Sequence, residues 1–100
     1  RRTMPKGYMV GQIDVHDPET YAKYTAQTPG IAASYGGKFI VRAGQLETLE
    51  GAAAGPRVVV IEFPSYARAL EFYNSDEYQA IVGIRQKAST GSAFVVEGAD

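Results

Sequence analysis

The chain has no cysteine, no tryptophan and a single histidine among its 100 residues. Without cysteine there is no disulfide framework, thiolate metal site, iron–sulfur cluster or cysteine nucleophile, and the composition suits a reducing compartment. The lone histidine, His16, lacks the spaced His or carboxylate partners that a metal site requires, and a junction or solvent-facing role is expected for it. No tightly bound cofactor is indicated. An excess of charge of either sign is also missing. Ten basic and eleven acidic side chains leave a net charge of -1, so nothing draws the chain to phosphate backbones or anionic lipid, and neither nucleic acid nor a membrane is an expected partner. The longest aliphatic run, Val58 to Ile61, is far shorter than a membrane span or a secretory h-region. A cytoplasmic protein is expected.

What is present is ordinary globular material: 45% hydrophobic and 21% charged residues. Residues 4–100 read as one domain, because two independent cores would need roughly 200 residues. Arg1, Arg2 and Thr3 read as a frayed terminus or a cloning remnant. From Tyr8 to Val15 polar and apolar residues alternate as in a strand. Asp17 as N-cap, Pro18 at the first helical position and Glu19 in the first turn start a helix that runs to about Tyr35, with a kink or break near Thr28 to Gly30 caused by Pro29. Gly36 and Gly37 end it. Lys38 to Ala43 read as an edge strand and Gly44 to Pro56 as a connecting loop in which Leu46 and Leu49 dock a short arm. Arg57 to Phe63 have the β-branched density of a central strand. Ser65 and Ser75 cap two short helices or one broken helix, Gly91 ends that region, and the run from Ser92 to Gly98 closes the chain as a last strand. The order is β-α-β-β-α-β, that of a ferredoxin-like α+β sandwich with a four-stranded antiparallel sheet and helices on one face.

Strand parity sorts the side chains into two sets. Met9, Ile13, Val15, Phe39, Val41, Val59, Ile61, Phe63, Phe94 and Val96 are apolar and are expected to face the helices. Tyr8, Val10, Ile40, Val58, Val60 and Val95 alternate with Gln12, Asp14, Lys38, Arg42, Glu62 and Glu97 on the face that no helix covers. That face is on the order of 300 Å², and it carries valine and isoleucine where a solvated sheet would carry Thr, Lys and Glu. A second copy related by a twofold axis is the expected cover, giving a homodimer.

Five motifs in this order over Tyr8 to Gly98, DPETYAKY, YGGKFIVRAG, LEG, VVVIEFPSYARALEFYNSDEYQ and IRQKA, resemble the DUF1330 family, within the dimeric α/β-barrel superfamily of ferredoxin-like folds. The resemblance implies a small bacterial-type dimer whose two sheets close a barrel, and it supplies no catalytic residues. Cofactor-free monooxygenases, muconolactone isomerases and haem-dependent enzymes occur elsewhere in that superfamily, but their chemistry does not travel on fold alone.

From the residues themselves, Arg42 and Glu62 form the leading candidate pair, on neighbouring strands and on the same face by parity. Arg42 would hold a carboxylate or enolate and Glu62 would act as a base, with Tyr8, Gln12 and Tyr35 as neighbours in a ligand site. The competing reading is an ion pair that sets the geometry of a dimer interface. An RNA-recognition role fails on the absence of the glycine–aromatic strand pattern. Two function classes remain: binding or transformation of a small anionic or carbonyl-bearing metabolite, and a non-catalytic dimeric module. A partly polar cavity of a few hundred Å³ bordered by Arg42 and Glu62 would favour the first.

Overall fold

A computed structural model describes residues 5–52 and 55–99; the expectation for residues 1–3 lies outside them. Strand β1 (Gly7–Val15) leads into helices α1 (Pro18–Thr25) and α2 (Thr28–Ser34), then β2 (Lys38–Arg42) and β3 (Arg57–Phe63). Helices α3 (Tyr66–Asn74) and α4 (Asp76–Ala88) follow, and β4 (Ser89–Glu97) ends the series. The sheet is antiparallel throughout in the order β2-β3-β1-β4, so β3 and β1 are central and β2 lies at an edge.

Local chemistry explains most boundaries. The Asp17 carboxylate accepts from the Thr20 amide at 3.3 Å, with Pro18 just inside α1. The break falls at Ala26 and Gln27, and Pro29 sits in the first turn of α2, where its missing N–H costs nothing. Gly36, at φ 78°, closes α2: the Gly37 amide donates to the Ala32 carbonyl at 2.8 Å and that of Gly36 to Ala33 at 3.0 Å, the paired bonds of a Schellman ending. Ser65 caps α3 and Ser75 caps α4, each hydroxyl accepting an amide at 3.1 Å. The acidic Asp76 and Glu77 then open α4, and Arg85 and Lys87 close it, as its dipole favours.

The core lies between the sheet and the helices. Met9, Ile13, Ile61 and Phe63 project from the sheet onto Ala69, Phe72, Tyr78, Ile81 and Val82. Its densest part is aromatic, with ring centroids 5.1 Å apart for Phe63 and Phe72 and 4.7 Å for Phe72 and Tyr78.

Four expectations from the sequence are corrected. Gly91 does not end a helix. It lies inside β4 at φ 145°, where an added Cβ would fall 2.0 Å from the Gln12 carbonyl oxygen, and α4 stops earlier at Ala88. Leu46 and Leu49 do not dock, being 46% and 83% exposed. Register places Phe94 opposite Val10 and Val96 opposite Tyr8, so these two residues lie on the uncovered face. Val95 packs on the core instead, and Glu97 shares its parity.

The fourth correction comes from β2. Phe39 pairs with Ile61, but Val41, not Ile40, pairs with Val60, so one extra residue is accommodated at a β-bulge. A bulge reverses the parity of everything beyond it. Val41 therefore joins Val60 on the uncovered face and Arg42 joins Val59 on the helix side, the reverse of simple alternation.

Candidate functional site

The sequence candidates separate into two groups. On the uncovered face Tyr8 lies directly opposite Glu62, and its hydroxyl donates to Glu62 Oε2 at 3.3 Å. Lys38 reaches the other carboxylate oxygen at 3.8 Å from the edge strand. Partial desolvation and the neighbouring Glu62 charge raise the Tyr8 hydroxyl pKa above its ordinary value. Gln12 is on the same face, opposite Val58. Arg42 and Tyr35 are absent from this group. Tyr35 belongs to the helical layer, its ring edge against Phe72 and its hydroxyl 3.4 Å from Glu77 Oε1. The bulge puts Arg42 on the helix side, with its guanidinium 4.2 Å from the Phe39 ring centroid, so Arg42 and Glu62 cannot pair. His16 is exposed at the β1–α1 junction, where its amide donates to the Ala88 carbonyl. Among the described residues no cluster of His, Asp or Glu is arranged to hold a metal ion.

Arg42 instead borders a cavity of about 80 Å³ between the sheet and α1, α2 and α4. Its floor is apolar, built from Met9, Ile13, Val59 and Ile61, and Tyr21, Tyr24 and Phe39 contribute aromatic walls. Arg57 and Arg85, both half-buried, and the exposed Arg42 also line the cavity, and among the described residues no carboxylate does. The Arg57 guanidinium lies 5.3 Å from the Tyr21 ring centroid, a cation–π contact that orients it without neutralising it. Nε of Arg57 and Nε of Arg85 are both buried with no hydrogen-bond partner among the described residues. A buried donor ordinarily finds an acceptor.

Beside Arg85 stand two tyrosines whose hydroxyl oxygens are 2.7 Å apart, Tyr24 and Tyr78. Burial, and then the Tyr78 hydroxyl, push the Tyr24 pKa far above the usual tyrosine range, so Tyr24 keeps its proton at any physiological pH. Thr25 and Thr28 also line the cavity, but their hydroxyls donate to the carbonyls of Ala22 and Tyr24. The cavity is thus rich in donors and counter-charge for an anion. It is smaller than the few hundred Å³ anticipated, and Glu62 does not border it. A more open groove of about 290 Å³ between α3 and β4 carries Tyr66, Leu70, Tyr73 and Phe94 and, among the described residues, no charged group.

Sequence reasoning missed Arg57, Arg85 and Tyr24 as site residues. The signal for Arg57 was its parity: it shares the apolar set with Val59, Ile61 and Phe63, so it is a charge on the side where none is expected. Arg85 stands four residues after Ile81, on the buried face of its helix.

An antiparallel four-stranded sheet in this order, with the helices of the described residues on one side, defines a ferredoxin-like α+β fold. Two solved structures of RPA0582, a protein of unknown function from Rhodopseudomonas palustris, share it. One superposes with a TM-score of 0.73 at 20% identity, covering 96% of this chain and 84% of that one. The other, a methylated form, gives 0.72 at 22% identity over 99% and 84%. SnoaB, a cofactor-independent oxygenase from Streptomyces nogalater, gives 0.64 at 12% identity over 96% and 95%. At these identities the likeness concerns the fold alone. No curated protein matches the sequence. Residues 6–99 match the model of the domain of unknown function DUF1330, and the chain belongs to that family.

Proposed function

We propose that the protein binds a small anionic or carbonyl-bearing metabolite in the cavity between sheet and helices, and holds or transforms it there without a tightly bound cofactor. The observation that carries this reading is the convergence of Arg42, Arg57 and Arg85 on a mostly apolar cavity that no carboxylate of the described residues lines. Two of these guanidiniums keep a buried donor without a partner among the described residues, which a ligand oxygen would satisfy. Of the residues singled out by sequence, Arg42 retains its assigned role as an anion-holding group. Glu62, Tyr8 and Gln12 take the interface role. SnoaB, a cofactor-independent oxygenase on the same fold, supports the idea that this framework accommodates chemistry without a cofactor, and at its low identity it lends no residue.

The protein acts, in this proposal, as a cytoplasmic homodimer. Val10, Val58, Val60, Val41, Phe94 and Val96 share the uncovered face, with Phe94 and Val96 nearly half exposed. A twofold mate supplies the same surface in return. The alternative, a dimeric module without a ligand, draws on this face alone and leaves the three arginines without a purpose.

Native mass spectrometry of freshly purified protein tests both parts together. A doubled subunit mass carrying a small acid is the expected result, and Arg57→Met should strip the acid while leaving the mass doubled. A dimer that never carries or accepts an anion would reduce the protein to the structural module.

A further inference from the structure

The Tyr24–Tyr78 pair has two ways to place its protons, and burial decides between them. Either hydroxyl can donate across the 2.7 Å gap. Tyr78 is wholly excluded from solvent, and among the described residues its hydroxyl meets no acceptor other than Tyr24. Were Tyr24 the donor, the Tyr78 proton would be stranded in the core, the costlier arrangement for a buried polar group. With Tyr78 as donor both needs are met, since Tyr24 lines the cavity and can turn its own proton into it.

The cavity then presents protons from Tyr24 and from the three guanidiniums, over an apolar floor. We propose that Tyr24 is the ligand-gripping hydroxyl of this site. Oriented by Tyr78, it donates to a carboxylate or enolate oxygen of a compact organic acid, while Arg57 and Arg85 supply the counter-charge. This rests on the anion-site reading above and narrows it. An apolar floor of Met9, Ile13, Val59 and Ile61 suits a hydrocarbon body and disfavours a strongly hydrated inorganic anion. A cavity of about 80 Å³ sets the ligand's scale at a single ring or a short branched chain.

Calorimetric titration of the full chain with benzoate, benzamide and inorganic phosphate tests the assignment. Benzoate should bind at least about tenfold more tightly than its neutral isostere or phosphate. Tyr24→Phe should weaken benzoate by about tenfold or more, the usual size of a lost hydrogen bond to a charged group. It also leaves the Tyr78 hydroxyl stranded, so the variant to compare with it is Tyr24→Phe with Tyr78→Phe. That double variant has no buried hydroxyl unpaired and should fold well, yet bind benzoate as weakly as the single one. Tyr78→Phe alone, which keeps the gripping hydroxyl, should lose less. Wild-type affinity in the double variant would overturn the role of Tyr24 while leaving the anion site standing. Phosphate binding more tightly than benzoate would overturn the ligand class, and failure of the wild-type chain to bind either anion would remove the site itself and this proposal with it.

Discussion

The two faces of the sheet are built from the same four strands and differ in what their charges do. On the helix side three arginines, Arg42 exposed at the border and Arg57 and Arg85 half-buried, line a mostly apolar pocket with no carboxylate among its walls within the described residues. On the uncovered side Glu62, on the central strand β3, already has Tyr8 and Lys38 at hand. Charge left unbalanced inside a protein is costly, and a fold that carries it gains nothing in stability from doing so. Charge balanced at the edge of an apolar sheet fixes register and contributes at most about 1 kcal/mol where the lysine is exposed. In the function proposed above, ligand recognition belongs to the first face and subunit pairing to the second, so each should be separable from the other.

The largest effect is expected where two phenylalanines on opposite faces are compared. Phe63 is buried against Phe72, and Phe63→Ala should lower the unfolding free energy by about 3–5 kcal/mol in denaturant titrations. Phe94, 47% exposed on the other face, should behave differently. Phe94→Lys combined with Val60→Glu is expected to leave the far-ultraviolet circular dichroism of the protomer intact while sedimentation shows a single copy. Benzoate binding should survive that change; its disappearance together with the dimer would show that the two faces are not separable.

A smaller effect belongs to the periphery of both. The Thr20 side chain and amide hydrogen bonds to Asp17 hold its carboxyl pKa below the ordinary 3.8. The stability this confers is complete above that ordinary value and is lost as pH falls through the lower, folded-state value. Asp17→Asn should therefore flatten the last part of an acid-unfolding curve and leave neutral-pH binding of benzoate as it was.

Much of the fold was legible because its signals are local. Asp17, Ser65 and Ser75 announce helix starts by the oxygen each offers to a free amide, and Pro29 announces the break between α1 and α2. Arg57 to Phe63 reads as a central strand from β-branched density alone, and the structure places it second from the edge. The site was less legible, because pairing two side chains across strands demands register, and register is a property of two segments at once. Simple alternation in β2 puts Arg42 on the same face as Glu62; the bulge puts them on opposite faces. Alternation likewise fails for Phe94 and Val96, whose phase is set by their pairing with Val10 and Tyr8 and not by their own sequence. Tyr24 was legible as a packing residue, which it also is. Its second duty depends on Tyr78, 54 positions away.

The bulge in β2 fixes Arg42 by the partner it meets and not by its count along the strand. Deleting Ile40 would straighten the strand and leave Val41 opposite Val60 and Arg42 opposite Val59, whereas keeping every residue and losing the bulge would carry Arg42 to the uncovered face, opposite Val58. A chain one residue shorter at this point would keep its arginine in the pocket, even with every later number shifted.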